Sequence, residues 1–204
     1  MNIKQRRPLW LYLIGNGLRI NQTIFERLLK IVIEGEQQQA GSEAKGLEES
    51  PGKHRTHSPQ LSESTTSQIE KDLDRTFPQQ IKTVAESVRM YKETRALLQL
   101  FAVYRPDIGY VQGMNYLATT LMSIFPLYEA FVCFANLVLG NGRERALLHS
   151  MYVFDVERIG AYNKIFNKLL GHYSPELYEL LESHSISSQV YTLPWWYTLY
   201  SNSL

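Results

Sequence analysis

The sequence predicts an all-α fold, and three observations carry that prediction. Apolar residues recur at helical spacing in several segments, and no stretch alternates strictly between apolar and polar residues as a half-buried strand would. The longest apolar run, 114–140, is split by Pro126 into two helix-sized pieces.

Taken in chain order, MNIKQRRPLWLYLIGN (1–16) has a basic start and a few apolar residues. The apolar part is short, contains Trp10 and Tyr12, and lacks a small-residue cleavage site, so it does not read as a signal peptide. In TIFERLLKIVI (23–33), Ile24, Leu28 and Ile31 recur at helical spacing, as do Phe25, Leu29 and Val32. Residues 35–67 hold one large aliphatic side chain before Leu61, namely Leu47, among Gln, Ser, Glu, Gly, Lys and His. Such a segment buries too little apolar surface to offset its ordering entropy, which predicts a disordered low-complexity insert between residues 1–34 and 68–204. His54 and His57 fall in this tract without partner cysteines or a fixed second shell, so they do not read as a metal site.

IEKDLDRTFP (69–78) follows, with Ile69, Asp72 and Arg75 on one helical face. From spacing alone two readings stand. Asp72 could hold the Arg75 guanidinium in one orientation, or the pair could be an ordinary surface salt bridge worth ~0.3–0.5 kcal/mol. SVRMYKETRALLQLFAVY (87–104) reads as an amphipathic helix with Met90, Leu97, Phe101 and Tyr104 on its apolar face. The loop RPDIGYVQGMN (105–115) comes next, and from composition alone it does no more than turn a corner. MNYLATTLMSIF and LYEAFVCFANLVL then flank Pro126 as two buried helices, not as a membrane span, because Asn115, Pro126, Glu129 and Asn136 interrupt the run. Two further helices are expected over roughly 157–170 and 175–183. In the final segment, VYTLPWWYTLYSNSL, Pro194 suits an early helical position, and Trp195, Leu199 and Ser203 begin a face. With no capping glycine or proline stop, the expectation is a chain that ends partway through a helix.

Composition narrows the function classes. The 204 residues are 44% hydrophobic and 20% charged, enough for one domain or two small lobes sharing a core. A net charge of +1 gives no electrostatic case for nucleic acid or an acidic membrane. The single cysteine, Cys133, precludes an internal disulfide and fits a reducing compartment, while the sequon at Asn21 stands alone as a hint of secretion. The chain has no GxSxG, GxxxxGK[ST], HExxH or paired Cys/His pattern, and His149, His172 and His184 are scattered, so a self-contained enzyme is not expected.

Three stretches read together change the weight of the earlier observations. RRPLWLYLIGN (6–16), IEKDLDR (69–75) and YVQGMNYLA (110–118) resemble, in order, the three motifs of the TBC domain, the two-lobed helical domain that activates Rab GTPases. Arg6 and Trp10 match the first motif, Ile69, Asp72 and Arg75 complete IxxDxxR, and Tyr110 and Gln112 supply YxQ with Gly113 after it. YTLPWWYTLYSNSL also looks like the family's Trp-containing helix in the second lobe, which would then be incomplete at residue 204.

The resemblance implies a GTPase activator acting on a GTP-bound Rab, and so an activator of another protein's active site. Arg75 would neutralise charge on the transferred phosphoryl group, and Gln112 would orient the attacking water. Asp72 would position Arg75 above Ile69, Tyr110 would brace the loop, Arg6 would support the site, and Trp10 would anchor the core. Tyr104, Arg105 and Asp107 are further candidates for lining the site, with a turn-and-cap role as the alternative for Asp107. No cofactor of its own is implied, since GTP and Mg²⁺ belong to the partner. The implied setting is the cytoplasm, with transient membrane contact through the Rab during vesicle trafficking. A Rab-binding scaffold without activity and a shortened inactive isoform are the alternatives.

Overall fold

The computed structural model describes residues 3–43, 61–76, 84–140 and 146–202, and among them it contains ten helices and no strand. The all-α expectation holds. None of the helices is long and apolar enough, among the described residues, to cross a membrane.

The chain begins with α1 (Ile3–Ile14), a helix the sequence reading did not assign. It lies on α6 (Leu127–Leu139), and Trp10 sits beside Phe125, just before that helix, with ring centroids 6.4 Å apart. Arg7 also donates to Glu129 through Nε and Nη2 at 2.7 and 2.5 Å. α2 (Gln22–Glu43) starts where the Asn21 side chain accepts from the Ile24 N–H at 2.9 Å, so the sequon asparagine is a helix cap.

α2 continues ten residues beyond the periodic segment that announced it. This corrects the insert boundary, because residues 35–43 are helical. Gln, Glu and Ala extend an existing helix at little cost, since each added residue gains a backbone hydrogen bond and no new nucleus is required. Glu36 is also tied to α4 (Val84–Tyr104), accepting from Arg95 and from Gln99 Nε2. At the far end of the tract, Ser62 Oγ accepts from the Thr65 N–H at 3.2 Å and starts α3 (Glu63–Thr76), in which Thr66 is already buried. His54, His57 and the rest of 44–60 lie outside the described residues.

α4 is the central helix, touched by α2, α3, α5 (Met114–Met122) and α6. Leu97, Leu98, Leu100 and Phe101 are buried to 1% exposure or less, and Phe101 meets Phe134 edge-on at 5.0 Å. At about 25 cal/mol per Å² of apolar surface removed from water, such side chains contribute roughly 1.5–3 kcal/mol each. Arg95 joins three helices, since its Nε donates to Glu70 of α3 at 2.9 Å while Nη1 reaches Glu36 of α2.

The polar residues that argued against a membrane span each hold a tertiary contact. Glu129 takes Arg7, and Asn115 lies in the site described below. Asn136 is 2% exposed; its Oδ1 accepts from the Leu18 N–H at 3.1 Å, and its Nδ2 donates to the Val132 carbonyl at 2.8 Å. An amide in this position pins the loop after α1 to the face of α6.

α7 (Leu147–Tyr152), also unassigned from sequence, completes this body with buried Leu148, Met151 and Tyr152. α8 (Val156–Tyr173), capped by Asp155, folds back on α9 (Pro175–Ser183). α10 (Gln189–Thr198) then returns to α5 and α7. This group is held by half-buried rings and a polar knot, in which Thr192 Oγ1 and Ser188 Oγ donate to Asn163 Oδ1 at 2.9 and 3.3 Å.

The expectation for the last segment needs correcting. The helix begins five residues before Pro194 and closes at Thr198, before the chain's last residues. Leu199 (φ 47°) and Tyr200 (φ 63°) take left-handed backbone, and the Tyr200 N–H reaches back to the Trp195 carbonyl at 2.9 Å. A leucine thus does the capping that a search for glycine overlooks.

Candidate functional site

The site is built where the C-terminal end of α3 meets the loop before α5. On α3, Ile69 and Leu73 are fully buried and fix the helix's rotation. Asp72 lies one turn beyond Ile69 and is 8% exposed, and Arg75 follows at the rim with its side chain 72% exposed. Arg75 Nη1 stands 4.0 Å from Asp72 Oδ1, which is an electrostatic contact and not a hydrogen bond.

The carboxylate's strong partner is on the loop. Tyr110, 8% exposed, donates its hydroxyl to Asp72 Oδ2 at 2.7 Å. Burial, reinforced by this bond and the negative charge behind it, pushes the phenol well above its ordinary range. Asn115 Oδ1 also lies 3.3 Å from the same hydroxyl. A phenol has one hydrogen, and the shorter contact to a charged acceptor takes it, so the longer approach is proximity alone.

Asn115 is 2% exposed and connects both sides of the site. Its Oδ1 accepts from the Gly113 N–H at 3.0 Å, and its Nδ2 donates to Thr76 Oγ1 at 2.6 Å. Thr76 Oγ1 donates in turn to the Asp72 carbonyl at 2.7 Å. The Gly113 N–H needs an acceptor, so the amide can point only one way. A continuous chain of donors and acceptors therefore runs from the loop to the last turn of α3.

The loop itself is shaped by backbone geometry. Ile108 and Gly109 donate to the Arg105 carbonyl at 3.0 and 2.8 Å, and Gly109 (φ +66°) turns the chain. Gly113 has φ +104° and begins α5 directly, and a side chain there would meet Tyr197 and Thr198 of α10 at 3.5–3.6 Å. The second group of helices thus supports the loop from beneath. Between the buried Tyr110 and the buried Gly113, Gln112 is exposed.

The sequence candidates divide accordingly. Ile69, Asp72, Arg75, Tyr110 and Gln112 come together at one place. Trp10 packs on the core, and Arg6 is exposed on a helix whose described contacts run to α6. Its neighbour Arg7 carries the bidentate anchor to Glu129. Tyr104 is half-buried and packs on the core, its ring edge-on to Phe131 at 5.7 Å. Arg105 and Asp107 grip each other at 2.7 and 2.5 Å, which lowers the Asp107 carboxyl below the usual carboxylate range. Asp107 therefore belongs to the turn. Thr76 was not singled out from sequence, and Asn115 was noted only as a polar interruption of the apolar run. A polar residue directly after Arg75 and an asparagine two beyond Gly113 were the only signals, and neither has meaning until the two segments meet.

Among the described residues no group of His, Cys, Asp or Glu stands close enough to hold a metal ion. The arrangement is an exposed cation and an exposed amide, each adjoining a rigid buried network. It suits a site that presents two polar side chains to another molecule.

The model of the Rab-GTPase-TBC domain matches residues 4–204. TBC1 domain family member 14 of Rattus norvegicus is 27% identical over 199 residues, covering 98% of this chain and 27% of the relative. TBC1 domain family member 12 of Xenopus tropicalis is 27% identical over 199 residues, covering 98% of this chain and 28% of the relative. The chain spans about a quarter of the length of these relatives.

Proposed function

Because the chain belongs to the Rab-GTPase-TBC domain family, we propose that it accelerates GTP hydrolysis by a Rab GTPase, with Arg75 and Gln112 supplied in trans to the partner's nucleotide. Water attacks the γ-phosphorus, the bond to the bridging oxygen breaks, and GDP and inorganic phosphate leave. The Arg75 guanidinium would neutralise the charge that spreads over the phosphoryl oxygens and the leaving oxygen. Such a residue is worth about 10³–10⁵ in rate. Gln112 would accept from the attacking water and donate to a phosphoryl oxygen, a pairing that an amide allows and a carboxylate does not.

One observation supports this reading most. Of the five residues that define the two motifs, the two left exposed, Arg75 and Gln112, are the two the chemistry requires, while Ile69, Asp72 and Tyr110 are buried beneath them. The cation is not consumed by its carboxylate, because Asp72 is committed to Tyr110. GTP and Mg²⁺ would come with the GTP-bound partner, the chain contributes no complete active site, and its place would be the cytoplasmic face of trafficking membranes.

The test is single-turnover hydrolysis by a panel of GTP-loaded Rabs with wild type, Arg75→Ala, Arg75→Lys and Gln112→Ala. Wild type should accelerate at least one Rab, and Arg75→Ala and Arg75→Lys should each lose most of that acceleration, since lysine lacks the planar fork. Acceleration of no Rab would sink the reading. Tight binding of GTP-loaded Rab without acceleration would indicate a scaffold instead.

A further inference from the structure

We propose that Thr76 and Asn115 are positioning residues that set the separation of Arg75 and Gln112, an inference resting on the activator reading above. Thr76 directly follows Arg75, and the Gly113 N–H belongs to the peptide that directly follows Gln112. A single buried amide spans the two, because Asn115 donates to Thr76 Oγ1 at 2.6 Å and accepts from the Gly113 N–H at 3.0 Å. No other described chain of hydrogen bonds links the Thr76 hydroxyl to the Gly113 N–H. The Tyr110–Asp72 bond lies one turn deeper, between residues 38 apart in the chain, and holds the helix to the loop without touching either peptide.

The geometry explains why an amide and a hydroxyl are needed. Thr76 Oγ1 must accept from Asn115 and at the same moment donate to the Asp72 carbonyl, 2.7 Å away. A hydroxyl does both. Asn115 must accept from a backbone N–H and donate to a hydroxyl, which an amide does and neither a carboxylate nor a methyl group does. The bridge also shares its anchor with the buried pair, since Thr76 bonds the main chain of the residue whose side chain takes Tyr110. Loss of the Thr76 hydroxyl would therefore unanchor the Asn115 amide that holds the Gly113 N–H on one side and loosen the last turn of α3 on the other, with the core residues unmoved.

Displacement of a reacting group by about 1 Å costs on the order of 10²-fold in rate. Thr76→Val keeps shape and removes the hydroxyl, Thr76→Ala removes it without the β-branch, and Thr76→Ser restores it. On a Rab that wild type accelerates, Thr76→Val and Thr76→Ala should lower the saturating single-turnover rate by about ten- to a hundredfold. Affinity for the same Rab loaded with a non-hydrolysable GTP analogue should change by less than about threefold, since neither exposed side chain is removed. Thr76→Ser should recover the rate. In a Gln112→Ala background, Thr76→Val should add far less than it does alone, because one of the two groups whose separation it sets is gone.

Amide hydrogen exchange supplies a readout independent of any partner. Exchange at Gly113 should rise by about tenfold or more in Thr76→Val and return in Thr76→Ser. Unchanged Gly113 exchange in both Thr76→Val and Thr76→Ala overturns the inference, whether or not a Rab is accelerated. So does a rate loss that persists in full in the Gln112→Ala background. If wild type accelerates no Rab but Gly113 exchange responds, the activator reading falls and the mechanical coupling of the two segments stands.

Discussion

Tyr110→Phe isolates the buried bond that joins α3 to the loop. The substitution removes one oxygen and leaves the ring, so packing is nearly unchanged. What it takes away is the 2.7 Å donor to Asp72 Oδ2, leaving a carboxylate that is 8% exposed. A hydrogen bond to a charged group contributes about 1.5–3 kcal/mol, and the loss falls in this range because the carboxylate stays buried. Arg75 cannot compensate. It stands 4.0 Å away with its side chain 72% exposed, and an exposed pair of that kind is worth about 0–1 kcal/mol. At about 2–4 °C per kcal/mol for a chain of this size, Tyr110→Phe should melt roughly 3–12 °C below wild type. Arg75→Ala should melt within a few degrees of it. The assay is a reversible thermal melt by circular dichroism with both variants side by side. Equal, small shifts for Tyr110→Phe and Arg75→Ala would refute the claim that Asp72 is held by tyrosine.

The same bond has a pH signature. Tyr110 binds its proton more tightly folded than unfolded, so its contribution is complete below pH about 10, the unfolded value, and declines as pH rises beyond it. Tyr91, pushed up to about 12 by burial and by Asp74, acts in the same direction, so denaturant midpoints should be flat from neutral pH to pH about 9 and fall above pH about 10. Tyr110→Phe should make that fall shallower. Burial also pushes the Cys133 thiol up to about 12, so it should resist a thiol reagent at pH about 8 in the folded protein and react at once in denaturant. Gly109→Ala should cost about 1–2 kcal/mol from left-handed backbone alone, as nothing lies within 4 Å of an added methyl group. Gly113→Ala, at φ +104°, should cost at least as much, about 1–3 kcal/mol, although its neighbours at 3.5–3.7 Å impose no clash. Chemical denaturation ranks the two. Arg95→Lys should not rescue Arg95→Ala, because only the fork reaches Glu36 and Glu70 together, and a double-mutant melt series decides it.

The helices most legible from sequence are those that bury the most apolar side chains. α4 buries every residue from Leu97 to Val103 and α6 every residue from Ala130 to Asn136, so each stands out in the chain as a largely apolar run broken by one buried amide. α1 and α7 were not legible. α1 meets the core through little more than Trp10 and its neighbours, and α7 has six residues, too few to show a period. The helical extension of α2 escaped for a different reason. Residues 35–43 owe their order to the preceding helix and to Arg95, which lies 59 residues from Glu36. The site shows the same split, for Ile69, Asp72, Arg75, Tyr110 and Gln112 were found by motif, whereas Thr76 and Asn115 were not.

What the sequence determined by itself was the helical class, the two short motifs and the residue types at their exposed positions. Those are local properties: a period, a spacing, a glycine that permits a turn. The tertiary structure alone decided which partner each polar group takes. Asp72 has Arg75 three residues away and chooses Tyr110 across the fold. Burial is the reason. A carboxylate shielded from water gains most from a short, shielded donor, and a flexible guanidinium in solvent gains little from a carboxylate it must approach through water. That choice keeps Arg75 exposed, and it is made by residues that no spacing in the chain places side by side.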